Sequence, residues 1–423
     1  MKKKIKKITS NPLISGSFFI FSGGVVSSLF NFLYNLALSR NLSVNDYGAV
    51  VSLISIILLA AIPVSAFMPT IISVSGAFYA TKNNAGLKAF YLRLFKPLLV
   101  GSFIFCIVAL AFINQISIFL HIYDYNVLVL SIVAIVLGYL GTINLGFLQG
   151  RLAFKTISFS NSLSSAVKLG LGFFLVLSGF GLVGAMLAFI VSVSIPVAIG
   201  YYVLRDMLLT RIDDLPKVSF RELFNYGLPS ALVIFSLSSF ISTDIILVKH
   251  YFPSQQAGLY AGLSLVGKVI FYLTAPISTV MFPTIIHRYN KKESYRGIMV
   301  LALMLVFASS TAITIFYYFF PEFTLTFFLK NPEYQKVASL VWLYGIFISA
   351  YSLVSTLSYY YLSIKQTKVS FLLILAALFQ AGLIAIFHNT FLQVIMVSII
   401  VLSLLLLMLL LYYFINKNNN DNR

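Results

Sequence analysis

AGLYAGLSLVGKVIFYLTAPISTVMFPTII, residues 257–286, runs for thirty residues with a single charge, Lys268, near its centre. About 20 mostly apolar residues suffice to cross a bilayer, so the stretch reads as a membrane helix. Pro276 and Pro283 each remove a backbone donor and predict bends in it. A lysine at mid-membrane costs about 2.5–3.5 kcal/mol on insertion scales, which favours a place on a wet cavity over one facing lipid. Lys168, inside the apolar run 157–178, poses the same problem.

The rest of the chain extends that reading. Of 423 residues, 60% are hydrophobic and 9% charged, which excludes a soluble fold and predicts an all-α, multi-pass membrane protein. Twelve stretches are long and apolar enough to be spans, near 13–38, 46–80, 97–118, 125–149, 157–178, 181–204, 224–250, 256–287, 297–320, 335–362, 368–387 and 390–415. The second and eighth are long and carry Pro63 and Pro69, then Pro276 and Pro283, as candidate hinges. Met1–Lys7 leads into an apolar run with no A-x-A cleavage pattern, so an uncleaved first helix is expected. The end, Asn416–Arg423, reads as a disordered polar tail.

The net charge of +18 does not point to nucleic acid, because the basic residues are spread over short loops. Of the 29 Lys and Arg, 23 fall on the side of the N-terminus and four (Arg40, Lys249, Lys330, Lys336) on the other, with Lys168 and Lys268 buried. That bias places both termini in the cytoplasm. Cys106 is alone, and His121, His250, His287 and His388 sit at loop edges without ligand spacing, so no metal or other cofactor is expected. No Gly-rich phosphate loop is present to bind ATP.

The halves repeat. FMPTII at 67–72 recurs as MFPTII at 281–286; Arg40 precedes Gly48 much as Lys249 precedes Gly258; Lys168-Leu169-Gly170 falls on Gln380-Ala381-Gly382. Six spans separate equivalents, an even number, which predicts two parallel-repeat six-helix lobes, 1–204 and 222–423, around a central cavity and joined by a linker at 205–221.

Candidate site residues follow from helical spacing. Lys268 shares a face with Ser264, Tyr272 and Thr279, and Lys168 with Asn161, Ser164, Ser165 and Gly172. Arg40 and Lys249 lie near the outer ends of the first and seventh spans, where long basic side chains either snorkel to headgroups or reach a cavity mouth. These four cations form the candidate binding set for an anionic cargo. Asp244 is placed to pair with a lysine, hold a coupling cation or face a water pocket.

LALSRNLSVNDYGAVVSL (36–53) and STDIILVKHYFPSQQAGLYAGLSLVGKVIFYL (242–273), with the arrangement over twelve spans, resemble the bacterial polysaccharide-exporter family, the O-antigen and capsule flippases of the multidrug/oligosaccharidyl-lipid/polysaccharide superfamily. The resemblance implies a non-enzymatic inner-membrane flippase that moves undecaprenyl-diphosphate-linked oligosaccharide by alternating access. Its partners would be that lipid, bilayer lipids and other polysaccharide assembly proteins. A cation-coupled multidrug antiporter of the same superfamily is the alternative, although the first six spans lack carboxylates. A membrane glycosyltransferase or polymerase would need more acids than Glu322 and Glu333 in the longest outer loop.

Overall fold

The structure, a computed structural model, describes residues 12–65, 67–210 and 220–421. Among these there is no strand; the chain is an all-helical, multi-pass membrane protein. In order the helices are α1 Pro12–Asn41, α2 Val44–Ser65, α3 Met68–Ala80, α4 Asn84–Ala111, α5 Ile113–Leu120, α6 Tyr125–Gly150, α7 Phe154–Leu175 and α8 Gly181–Leu209. Then come α9 Phe220–Phe240, α10 Thr243–Tyr251, α11 Ser254–Gly267, α12 Val269–Asn290, α13 Arg296–Phe319, α14 Pro321–Leu329, a 3-10 turn Pro332–Leu340, α15 Val341–Ser363, α16 Val369–Ile386 and α17 Phe391–Asp421.

Polar side chains set several starts. Ser43 Oγ accepts the Asp46 N–H and donates to its carboxylate, closing a box at the head of α2. Asn83 and Asp124 accept N–H bonds at the heads of α4 and α6. Between α7 and α8, Gly179 (φ 90) and Gly181 (φ 48) take a left-handed backbone that lets α8 fold back along α7. Nine helical runs among the described residues are long and apolar enough to span a membrane, ten if α9 and α10 form one span bent by 43°. That number counts the α7–α8 hairpin as one 56-residue run.

Several sequence expectations change in detail. The second stretch is two helices, because Pro69 sits in the first turn of α3, where its missing N–H removes no bond. The seventh is broken at Ile241–Ser242 with no proline there. In the eighth, Pro276 and Pro283 lie inside α12 and the irregular residue is Lys268. The expected disordered tail is helical as far as Asp421, carried on by the long apolar helix before it. Residues 1–11 and most of the expected linker, 211–219, lie outside the described residues.

Two compact units divide the chain: residues 1–42 with 60–231, and residues 43–59 with 232–423. In the first, α1 packs along α7 and α6 along α8, around a core that includes Leu87, Phe90, Phe147 and Leu204. Hydrogen bonds join its helices: Tyr34 OH to Ala185 O (2.9 Å), Tyr91 OH to Asn144 Oδ1 (2.9 Å) and Asn144 Nδ2 to Val197 O (3.1 Å). Lipid offers helices no hydrophobic drive to associate, so such bonds and close packing do the joining.

The second unit is built on α15, which packs against α12, α13 and α17. Thr274 donates to Ser352 (3.1 Å), Ser278 and Thr356 share a bond (2.8 Å), and Tyr361 OH reaches Leu409 O (2.7 Å). Here also Gly48 meets Gly258: a Cβ on Gly48 would lie 2.7 Å from the Gly258 backbone, and one on Gly258 would strike Val44 O. Backbone cannot swing aside as a side chain can, so Gly258→Ala is expected to destabilise by about 1–3 kcal/mol. Thermal unfolding in detergent measures this; an unchanged midpoint would mean the approach is loose in solution.

Candidate functional site

The two lysines deep in apolar runs, Lys168 in the first unit and Lys268 in the second, are treated differently. In the first unit Lys168 is half-buried on α7. Its Nζ lies 4.9 Å from the centre of the Tyr34 ring on α1 and 5.3 Å from that of Phe189 on α8. Tyr34 is fixed by its bond to Ala185 O and by close contact with Gly172, whose lack of a side chain makes room for the ring. Aromatic faces attract an ammonium, more strongly when it is desolvated. Among the described residues no carboxylate is paired with Lys168. Of the hydroxyls expected beside it, Ser164 joins helices by donating to Ser192 O (2.6 Å), while Ser165 bonds back within α7 to Asn161 O (2.7 Å). On α1, Gly24 and Ser28 are exposed and Asn31 and Asn35 half-buried, a polar strip along that helix.

The second unit builds its cluster on the helix break. Ending α9 at Phe240 leaves carbonyls without helical partners, which inside a membrane must be satisfied. Lys268 Nζ donates to Ile241 O (3.0 Å), and Gln380 Nε2 to Phe240 O (3.3 Å) and Ser398 Oγ (2.8 Å). Asp244 opens α10, where the helix dipole favours an anion. Its carboxylate is 0% exposed; Oδ2 accepts from Tyr260 OH (2.9 Å) and Tyr344 OH (3.0 Å). Lys268 is its cationic neighbour and attracts it without a direct ion-pair contact.

The two cations expected at the outer ends, Lys249 and Arg40, differ from each other. Lys249 is 1% exposed, its Nζ donating to Ser254 Oγ (3.0 Å) with Asp46 as an acidic neighbour. Arg40 is half-buried and engaged in contacts. Pro63 lines an apolar cavity of about 340 Å³ in the first unit, with Pro97, Gly101, Ser102, Phe105 and Tyr139 among its walls. Tyr260 and Tyr344 were not singled out from sequence. No group of three or more His, Cys, Asp or Glu suited to a metal occurs among the described residues.

The profile of a family described as polysaccharide biosynthesis protein matches residues 37–332. An uncharacterized membrane protein of Methanocaldococcus jannaschii is 25% identical over 247 residues, 55% of this chain; the match spans 57% of that relative's length. Among solved structures, a multidrug resistance MATE family transporter of the MOP superfamily in an inward-facing conformation superposes with a TM-score of 0.71 at 16% identity, covering 93% of this chain and 96% of that one. The lipid II flippase MurJ, inward closed, gives 0.72 at 15% identity, covering 93% and 87%. At such identities the likeness is one of fold.

Proposed function

The chain belongs to the polysaccharide biosynthesis protein family, and on that footing we propose that it is a flippase for an anionic lipid-linked oligosaccharide of the undecaprenyl-diphosphate type. It works by alternating access in the bacterial inner membrane with both termini cytoplasmic, from two six-helix lobes. One observation carries the reading: Lys168 is a mid-span ammonium held by two aromatic rings, and among the described residues no acid pairs with it. A positive charge without an internal counter-ion suits a cargo that brings a negative one. Lys268 also serves the cargo, moving between the Ile241 carbonyl and the passing diphosphate. Arg40 and Lys249 take the headgroup at the outer end, Lys249 after leaving Ser254 in another state of the cycle. The flippase fold of MurJ supports a lipid-borne cargo.

Pro63, Pro69, Pro276 and Pro283 act as hinges in this reading. The cavity around Pro63 leaves room for such a bend. At Gly101 an added Cβ meets nothing within 4 Å, so Gly101→Trp is expected to fill the void, leave insertion intact and slow transport about tenfold or more. An unaltered transport rate in a well-expressed Gly101→Trp protein would remove that hinge from the cycle.

Deleting the gene tests the function itself. Lipid-linked oligosaccharide should accumulate in the cytoplasmic leaflet, and undiminished surface polysaccharide would count against the proposal. The MATE neighbours favour a second reading, a cation-coupled multidrug antiporter with Asp244 as the coupling acid. It predicts drug sensitivity in the deletion strain and no accumulated lipid.

A further inference from the structure

A shallow cleft of about 500 Å³ runs along α8 against α6, lined by Leu137, Ser194, Val197, Ala198, Tyr201, Tyr202 and Arg205. It has two kinds of wall. From Ser194 to Ala198 the floor is apolar or small, and Ala198 is exposed. At the other end, Tyr201 and Tyr202 are exposed and Arg205 lies 4.3 Å from the centre of the Tyr202 ring. Tyrosines in such a place mark the headgroup level of a bilayer. The eleven steps from Ser194 to Arg205 cover about 16 Å at 1.5 Å per residue, close to half of a 30 Å hydrocarbon core. The cleft is therefore as long as one leaflet is deep.

Charge identifies the occupant. Two cations at this end of the first unit are committed to α8: Lys88 Nζ donates to Thr210 O (2.6 Å) and Arg151 Nη1 to Val203 O (3.1 Å). Arg205 lines the cleft, 56% exposed, lying over the Tyr202 ring and making a long 3.8 Å contact to Asp206. Its planar fork matches a phosphate diester. We propose that this cleft binds an anionic bilayer phospholipid, its phosphate on Arg205 and the tyrosine hydroxyls and one acyl chain along Ala198, Val197 and Leu137. The site serves the protein's bilayer annulus and does not depend on the cargo assignment.

The test uses the full-length chain in phosphatidylcholine vesicles with a trace of phosphatidylglycerol that carries a diazirine in its acyl chain. Labelled peptides are mapped by mass spectrometry. Label is expected on Val197–Tyr201 and near Leu137, about fivefold above that from a phosphatidylcholine probe. Arg205→Gln should erase the headgroup preference, and Ala198→Trp, at an exposed position, should remove label from the cleft with either probe. Equal labelling by both headgroups, or label that neither variant changes, would overturn the proposal. So would displacement of the probe by polyprenyl phosphate at lower concentration than by unlabelled phosphatidylglycerol, since the cleft would then belong to the cargo. A dimer that Ala198→Trp dissociates would overturn it as well, assigning the face to a second copy.

Discussion

Asp244→Ala is expected to lower the unfolding temperature sharply, by the equivalent of about 3–5 kcal/mol. The carboxylate is fully buried and accepts from Tyr260 and Tyr344. Removing it strands two phenolic donors and leaves the Lys268 ammonium without its acidic neighbour. An isolated buried charge is far worse than none, so adding Lys268→Met should recover part of the loss although a second residue is gone. The Ile241 carbonyl then loses its donor, which is why recovery stays partial. Thermal unfolding of the wild type, both single variants and the double variant closes the cycle. Additive losses would mean that Asp244 and Lys268 are not coupled.

Lys168→Met is expected to do the opposite: unchanged or higher thermal stability, with transport reduced more than a hundredfold. Among the described residues the side chain has no hydrogen-bond or ion-pair partner, so its removal strands none of them. Methionine fills similar space against Tyr34 and Phe189 and packs well on aromatic rings. What disappears is the charge, and with it the attraction for a diphosphate. Lys168→Arg should keep part of the activity. A Lys168→Met protein that melts early would show the ammonium to be structural, and one that transports normally would exclude it from cargo recognition.

The two lysines were legible in sequence for one reason: a charge inside an apolar run has no ordinary place in lipid. Their different settings were not legible. Tyr260 and Tyr344 stand far apart along the chain and inside apolar stretches, where a tyrosine reads as core until a carboxylate is seen against its hydroxyl. The break after Phe240 carries neither proline nor glycine; its trace is the run Ser239, Ser242, Thr243, hydroxyl side chains that compete for backbone bonds. Ser239 and Thr243 do bond each other across it (2.8 Å). Hydropathy marked the long apolar helices because burial in lipid demands continuous apolar length; against the twelve expected spans, nine or ten helical runs qualify among the described residues. It could not place Lys249 inside protein, since a basic residue near a helix end looks alike whether it snorkels or is enclosed.

Purified chain in vesicles, supplied on one leaflet with a fluorescent undecaprenyl-diphosphate oligosaccharide, tests the central claim most directly. Reagent quenching from the opposite side follows arrival of the sugar there. The wild type should transfer the lipid and Lys168→Met should not, while both are folded by their melting curves. Equal transfer by the two proteins, or none above empty vesicles by the wild type, would contradict a flippase built around that uncompensated ammonium.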